Sequence, residues 1–313
     1  MIAFVFPGQG SQVVGMGKDI ADAYPMAAKV FEQADSLLGF KLSELCFEGP
    51  QAVLDDTINT QPALYATSIA TLRVIEAETD LKPHYVVAGH SLGEFTALTA
   101  ADALTFDDGL RLVRERGRLM KEAGEKQPGA MAAILALDVE VVKAICEQAT
   151  AQVGEPVVLA NDNCPGQVVI SGEMQALDVA LKLAEGAGAR RSVRLAVSIA
   201  AHSPLMQSAA TEFQSLIEST PLNEPQVPIF ANVTAQPLND VDALRDELNR
   251  QLTSTVRWTD SMRGMIDAGV TQFVEIGSGD VLTGMTKRID RSRERVALNT
   301  AEALSQFIRQ SHS

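Results

Sequence analysis

"VVAGHSLGEF", Val86 to Phe95, decides how the rest of the chain is read. An apolar, strand-like run stops at Gly89-His90-Ser91-Leu92-Gly93, and a helix-like run, Glu94-Phe95-Thr96-Ala97-Leu98, begins at once. This is G-x-S-x-G between a strand and a helix, the context a nucleophile elbow requires. So tight a turn exposes the serine hydroxyl at the carboxyl end of the strand, and the flanking glycines let neighbouring elements approach closely. The following helix aims its positive end at the turn, where the N–H of Leu92 can donate to a developing anion. Ser91 is the candidate nucleophile. A chance match in a loop is the bland alternative, and the flanking strand and helix argue against it.

Outward from the elbow, strands and helices alternate. "IAFVF" (2–6) is a strand stopped by Pro7-Gly8, helical patterns cover 18–37 and 61–78, and "HYVVAGH" (84–90) is a second strand. Helices follow at 91–101 and 107–123. Strands this apolar suit a parallel sheet buried on both faces. From about residue 129 the rhythm changes. "AMAAILAL" is a strand, "VEVVKAICEQA" a helix, "PVVLAN" and "QVVISG" strands joined by the turn "DNCPG", "MQALDVALKLAEGAG" a helix and "RRSVRLAVS" a strand. The order β-α-β-β-α-β is the ferredoxin-like split motif. "VPIFANV" (227–233), "QFVEI" (272–276) and "RVALN" (295–299) return to the first style. The expected fold is α/β: an α/β-hydrolase-like catalytic subdomain with a parallel sheet, residues 1–126 and 197–313, holding an inserted ferredoxin-like small subdomain at 127–196.

The 313 residues are 46% hydrophobic and 21% charged, with a net charge of −14. That acidity sets nucleic acid aside and repels anionic membranes. Three cysteines without CxxC spacing and four histidines without an HExxH pair give no metal site. "MIAFVFPGQG" is no signal peptide, and no apolar run approaches the roughly 18 residues of a membrane span. A cytoplasmic protein that needs no metal is expected. "GQGSQV" nearly mimics a dinucleotide fingerprint, but Val13 holds the third glycine position and Pro7 precedes the run. The basic clusters Arg190, Arg191, Arg194 and Lys287, Arg288, Arg291 are either solvated faces or contacts for phosphates or an acidic protein.

A serine nucleophile needs a base. His202 ends "RLAVSIAAH" and precedes Ser203-Pro204, an N-cap serine followed by proline at the first helical position. It therefore stands at a strand-to-helix crossing, where active-site groups of open α/β sheets collect. His90 adjoins Ser91 on the turn, and its ring should point elsewhere; His84 begins a strand and His312 lies in the tail. No acid occupies the expected triad position. Asp162 is the nearest, inside the inserted segment, and a carbonyl oxygen could orient the imidazole instead.

The helix "DGLRLVRERGRLMKEA" raises a second question. Arg111, Arg114 and Arg118 share one face, while Arg116 falls in the middle of the apolar face of Leu112, Val113, Leu119 and Met120. A buried guanidinium must have a partner. That partner is either a carboxylate of this chain or one carried by a substrate and gripped bidentately.

Together with these residues, "FVFPGQGSQ", "TQPALYATSIA" (60–70), "GHSLGEFTAL" (89–98), "RGRLM" (116–120), "GAMAAI" (129–134), "NCPGQVVISG" (163–172), "AHSPLM" (201–206) and "EIGSGDVLTGMTKRI" (275–289) resemble the malonyl-CoA:acyl carrier protein transacylases of fatty-acid and polyketide synthesis. The resemblance runs in order along nearly the whole chain, and the length fits a free-standing enzyme. It implies that Ser91 is acylated, that His202 is the base and that Arg116 binds the malonyl carboxylate. It places Gln9 with the Leu92 N–H at the oxyanion hole, gives the main-chain carbonyl of Gln251 the task of orienting His202, and sets Asn163 at the cleft. It further implies malonyl-CoA and acyl carrier protein as partners. No cofactor is implied: coenzyme A arrives as the thioester and phosphopantetheine on the carrier. A monomer is expected. Ala201 departs from the phenylalanine that many malonyl-selective members place before the histidine, and Ser278 from a common proline. A polyketide acyltransferase that also takes methylmalonyl groups, or a serine thioesterase or esterase, are the alternative readings.

Overall fold

The computed structural model describes residues 1–81, 85–195, 197 and 199–311. Its strands are β1 (Ile2–Phe6), β2 (Tyr85–Gly89), β3 (Gly129–Leu135), β4 (Val157–Cys164), β5 (Gln167–Glu173), β6 (Arg191–Arg194), β7 (Ile229–Phe230), β8 (Pro237–Leu238), β9 (Gln272–Ile276) and β10 (Glu294–Leu298). Six form one sheet in the order β10-β9-β1-β2-β7-β8, parallel except where β8 turns back on β7. Four form a separate antiparallel sheet in the order β4-β5-β3-β6. The fold is α/β with a ferredoxin-like second sheet, as the alternation of strands and helices predicts.

The apolar runs reflect two-sided burial. Along β1, Phe4 and Phe6 join the larger core, and Ala3 and Val5 join a second core on the opposite face. Side chains alternate along a strand, so a strand covered on both faces must be apolar throughout. The helix Thr57–Glu78 lies in the larger core and is buried around most of its circumference. Pro62 within it has no N–H to give the carbonyl of Ile58, and the guanidinium of Arg114 donates there instead, at 2.7 Å. This contact, with the absence of a side chain at Gly117 where the helices touch, brings the helix Phe106–Lys126 against the start of Thr57–Glu78.

Several expected elements shift. The helical stretch 18–37 is two helices, Lys18–Ala23 and Pro25–Leu38, because Pro25 starts a new helix after extended Tyr24. Short helices at Leu42–Glu48 and Gln51–Leu54 fill a region with no clear pattern. The turn "DNCPG" is smaller than expected: β4 runs on to Cys164 through two register shifts, so Asn163 stands on a strand. "VPIFANV" contributes only Ile229 and Phe230 as strand, and "RRSVRLAVS" only Arg191–Arg194. Within these expected strands, His84, Ala196 and Ser198 lie outside the described residues, as does His312 in the tail.

The two sheets meet beside β4. Asp162 N–H donates to the carbonyl of Val256 and Val256 N–H to that of Ala160, both at 2.9 Å. Among the described residues, no helix is long and apolar enough to cross a membrane.

Candidate active site

The site gathers at the carboxyl ends of three neighbouring parallel strands. β1 runs into Pro7-Gly8-Gln9, β2 into His90-Ser91, and β7 into Ala231-Asn232. Open α/β sheets collect ligands at this edge. Ser91 has a φ of 52° and His202 a φ of 59°, left-handed conformations that non-glycine residues adopt only when their surroundings impose them. Around Ser91 the imposition is steric. A Cβ on Gly89 would overlap the carbonyl of Gly93, and a Cβ on Gly93 would overlap that of Phe6. The glycines on either side of the serine are what allow strand, turn and the helix Gly93–Ala100 to pack this closely.

Ser91 Oγ lies 2.7 Å from Nε2 of His202, and His202 Nδ1 lies 2.9 Å from the main-chain oxygen of Gln251. A carbonyl oxygen can only accept, so Nδ1 carries the proton and Nε2 is left to accept from the serine. Burial, reinforced by the charge of Arg116, pushes the His202 imidazole down to about 3, so it is neutral at pH 7. No carboxylate takes the third position: Asp162 accepts from the hydroxyl of Thr259 at 2.6 Å. His90 does point elsewhere. Its Nε2 lies 2.8 Å from Oδ1 of Asn163, and its ring meets Trp258 edge-on.

Arg116 is only 1% exposed. One terminal nitrogen donates to Oε1 of Gln61 at 2.9 Å; the other donates to Oε1 of Gln251 at 2.9 Å and to Ser91 Oγ at 3.2 Å. Among the described residues, its Nε has no hydrogen-bond partner. Burial pushes the guanidinium down to about 10, which leaves it charged at neutral pH. Among the described residues, no carboxylate forms an ion pair with it. The nearest acidic influence is Glu94, fully buried, which accepts from Nε2 of Gln251.

These groups open on a cavity of about 340 Å³. The main chain around Gly8, Gln9 and Leu92 forms one wall, and Met131, Asn163 and Ala201 help form the other. Among the described residues, the main-chain amides of Gln9 and Leu92 have no hydrogen-bond acceptor, although the side chain of Gln9 accepts from Thr57 at 2.9 Å.

A model of the acyl transferase domain matches residues 3–311. The chain belongs to the acyl transferase domain family. It is similar to the malonyl CoA-acyl carrier protein transacylase of Bacillus subtilis (strain 168), 43% identical over 97% of this chain and 95% of that protein. The enzyme of the same name from Escherichia coli (strain K12) is 43% identical over 97% of each. Among solved structures, a malonyl-transacylase in complex with a type II polyketide synthase acyl-carrier protein superposes with a TM-score of 0.95 at 40% identity, over 99% of each chain. The malonyl CoA-acyl carrier protein transacylase of Coxiella burnetii also gives 0.95 at 40% identity, over 100% of this chain and 98% of that one.

Three residues of this acyltransferase site escaped the reading from sequence. Gln61 holds one end of the Arg116 fork. Asn232 accepts from the Ser91 N–H at 2.7 Å and donates to the carbonyl of Gly89 at 2.7 Å. Glu94 accepts from the main-chain N–H of Asn232 at 2.9 Å and from its side-chain amide at 3.0 Å. Burial, with the neighbouring Glu247, pushes the Glu94 carboxyl well above the usual carboxylate range, against the opposing pull of Gln251, Asn232 and Arg116. The one available signal was a lone charge in the helix GEFTALTA, and an acid in a first helical turn has the ordinary explanation of the helix dipole. The basic clusters are partly committed: Arg288 donates to Gln167 and to the carbonyl of Pro165, and Arg194 pairs with Asp178.

Proposed function

We propose that this acyltransferase moves a malonyl group from malonyl-CoA to the phosphopantetheine thiol of an acyl carrier protein, through a malonyl ester on Ser91. His202 Nε2 takes the serine proton as Oγ attacks the thioester carbonyl. The amides of Leu92 and Gln9 receive the oxyanion. The C–S bond breaks and coenzyme A leaves with the proton from His202. The carrier thiol then gives its proton to His202, attacks the ester carbonyl, and Ser91 recovers its hydrogen. The carbonyl of Gln251 keeps the imidazole in the required tautomer throughout.

The observation that carries this reading is Arg116, a buried cation 3.2 Å from the nucleophile and, among the described residues, hydrogen-bonded otherwise only to neutral amides. A malonyl ester on Oγ carries its carboxylate only a methylene beyond the ester carbonyl, within reach of that fork. An uncharged acyl group would leave the guanidinium without a carboxylate in direct contact. A plain esterase or thioesterase has no use for it. The names of the relatives point the same way. Asn163 and Ala201 border the acyl pocket, and Ala201 leaves room for a methyl branch. The working organisation is a catalytic subdomain of residues 1–126 and 197–313 with 127–196 as the small one, acting as a cytoplasmic monomer without metal or cofactor.

Incubation with malonyl-CoA followed by intact mass measurement tests the reading. The wild type should gain one malonyl group and Ser91→Ala none. An adduct of equal yield on Ser91→Ala would overturn the assignment.

A further inference from the structure

We infer that Glu94 is a positioning residue: it fixes Arg116 and His202 through Gln251, and the Ser91 turn through Asn232. The inference rests on the malonyl-transfer reading above. Glu94 Oε1 receives both donors of Asn232, and Oε2 receives Nε2 of Gln251. The other ends of those two amides touch the reacting groups. Oδ1 of Asn232 holds the Ser91 N–H at 2.7 Å, and Oε1 of Gln251 holds Arg116 at 2.9 Å. Nε2 of Gln251 also ties the carbonyl of Ser91 at 2.9 Å, and its main-chain oxygen holds Nδ1 of His202.

A side-chain amide has a donor end and an acceptor end of nearly equal size, and nothing in its shape prevents it from flipping. Every described contact of the Glu94 oxygens is with an N–H, the main-chain amide of Asn232 among them, so the carboxyl serves there as an acceptor. Glu94, together with the carbonyls of Gly89 and Ser91 that share the same NH2 groups, therefore turns both amides with their donors inward and their oxygens toward the site. A flipped Gln251 would aim an NH2 at the guanidinium, and a flipped Asn232 would aim one at the Ser91 N–H. Glutamine at position 94 has nearly the same shape but a donor end of its own, so it cannot receive all these donors. The acid that a serine triad usually places on its histidine is here displaced behind Gln251, where it serves the arginine as well.

The test compares rates of Ser91 acylation by malonyl-CoA and by acetyl-CoA in wild type, Glu94→Gln, Arg116→Ala and the double variant. Glu94→Gln should slow acylation by malonyl-CoA roughly tenfold to a hundredfold, as for partners that orient metal ligands. Because Arg116 is misaligned, the malonyl-to-acetyl rate ratio should fall by roughly tenfold. In the Arg116→Ala background the same change should leave that ratio where it was. A merely structural Glu94 would lower thermal stability and both rates together; an unchanged ratio in folded Glu94→Gln overturns the inference. If Glu94→Gln does not fold, Glu94→Asp replaces it. Its side chain is one methylene shorter and cannot reach both amides, so the ratio should fall roughly threefold or more, the effect of one lost hydrogen bond. An unchanged ratio there overturns the inference too. A wild type that takes no malonyl group on Ser91 overturns the transfer reading and this inference with it, whereas an acylated wild type with an unmoved ratio in the variants overturns this inference alone.

Discussion

The two sheets bury different things. Around the carboxyl ends of the parallel sheet, Glu94, Arg116, His202, Asn232, Glu247 and Gln251 are all withdrawn from water. Between the antiparallel sheet and its helices, the core is Ile134, Val142, Ile145, Leu159, Ile170, Leu177 and similar apolar side chains. An apolar core is stable for the price of ordering it. A buried polar cluster costs several kcal/mol wherever a donor, acceptor or charge is left unmatched. Such a cluster persists where most of its groups satisfy one another, and here they do so, apart from Arg116 Nε and Glu247 Oε2, around a serine and a histidine in left-handed conformations. The comparison separates the sheet that carries the buried polar cluster from the one that walls the cavity beside it. The antiparallel sheet supplies Met131, Ala133, Asn161, Asn163, Gln167 and Val169 to the cavity lining.

If that division is right, substitutions should fall in a definite order. His202→Ala should cost most, slowing acylation by about 10³-fold or more, because among the described residues His202 Nε2 is the base within hydrogen-bond reach of the serine hydroxyl. Single-turnover mass measurement reads this directly. The same residue makes a pH prediction. The active form is the neutral imidazole, and burial beside Arg116 pushes it down to about 3. Acylation should therefore hold level as the pH falls from 7 to 5, where a histidine at its usual value of about 6.5 would show a falling limb. Stability behaves differently: below pH ~6.5 the unfolded chain takes up a proton that the folded site refuses, so acidification favours unfolding.

Arg116→Ala comes next. It should cost about 2–5 kcal/mol in kcat/KM with malonyl-CoA, by breaking a charge-assisted contact in a desolvated pocket, and little with acetyl-CoA. Equal losses with both substrates would make the arginine structural. Ala201→Phe should act more weakly, changing the methylmalonyl-to-malonyl ratio by about 1–3 kcal/mol, the range open to a methyl group in an apolar pocket. An unmoved ratio in competition assays would remove Ala201 from substrate choice. Asp162→Ala, at the edge of the antiparallel sheet, should do least. It gives up the hydrogen bond from Thr259, about 1 kcal/mol of stability by thermal denaturation, and should leave acylation within about threefold. A loss comparable to that of His202→Ala would bring the acid back into the triad.

What could be read without coordinates follows from the range of the forces involved. The elbow was legible because its requirements are local: a strand, a helix, and glycines where a Cβ would collide. Arg116 was legible because a helix repeats every 3.6 residues and a charge on its apolar face stands out. Gln61 and Glu94 were not. Their helices are buried almost all round, so no polar face exists for these residues to violate. Asn232 was hidden for another reason. It follows a strand of only two residues, and its partners Ser91 and Glu94 are remote in sequence. The split at Pro25 was available from proline's preference for the first helical turn, whereas the extension of β4 to Cys164 depends on register shifts against β5 that no local pattern announces.

The most direct test of the central claim is to follow the acyl group after it reaches the enzyme. Wild-type protein is acylated with isotopically labelled malonyl-CoA, freed of excess substrate and divided; one half receives phosphopantetheinylated acyl carrier protein and the other only buffer. The predicted result is rapid passage of the label to the carrier in the first half, while Ser91 in the second stays acylated over the same interval. Loss of the label as free malonate at the same rate in both halves would contradict transfer and make the site a hydrolase.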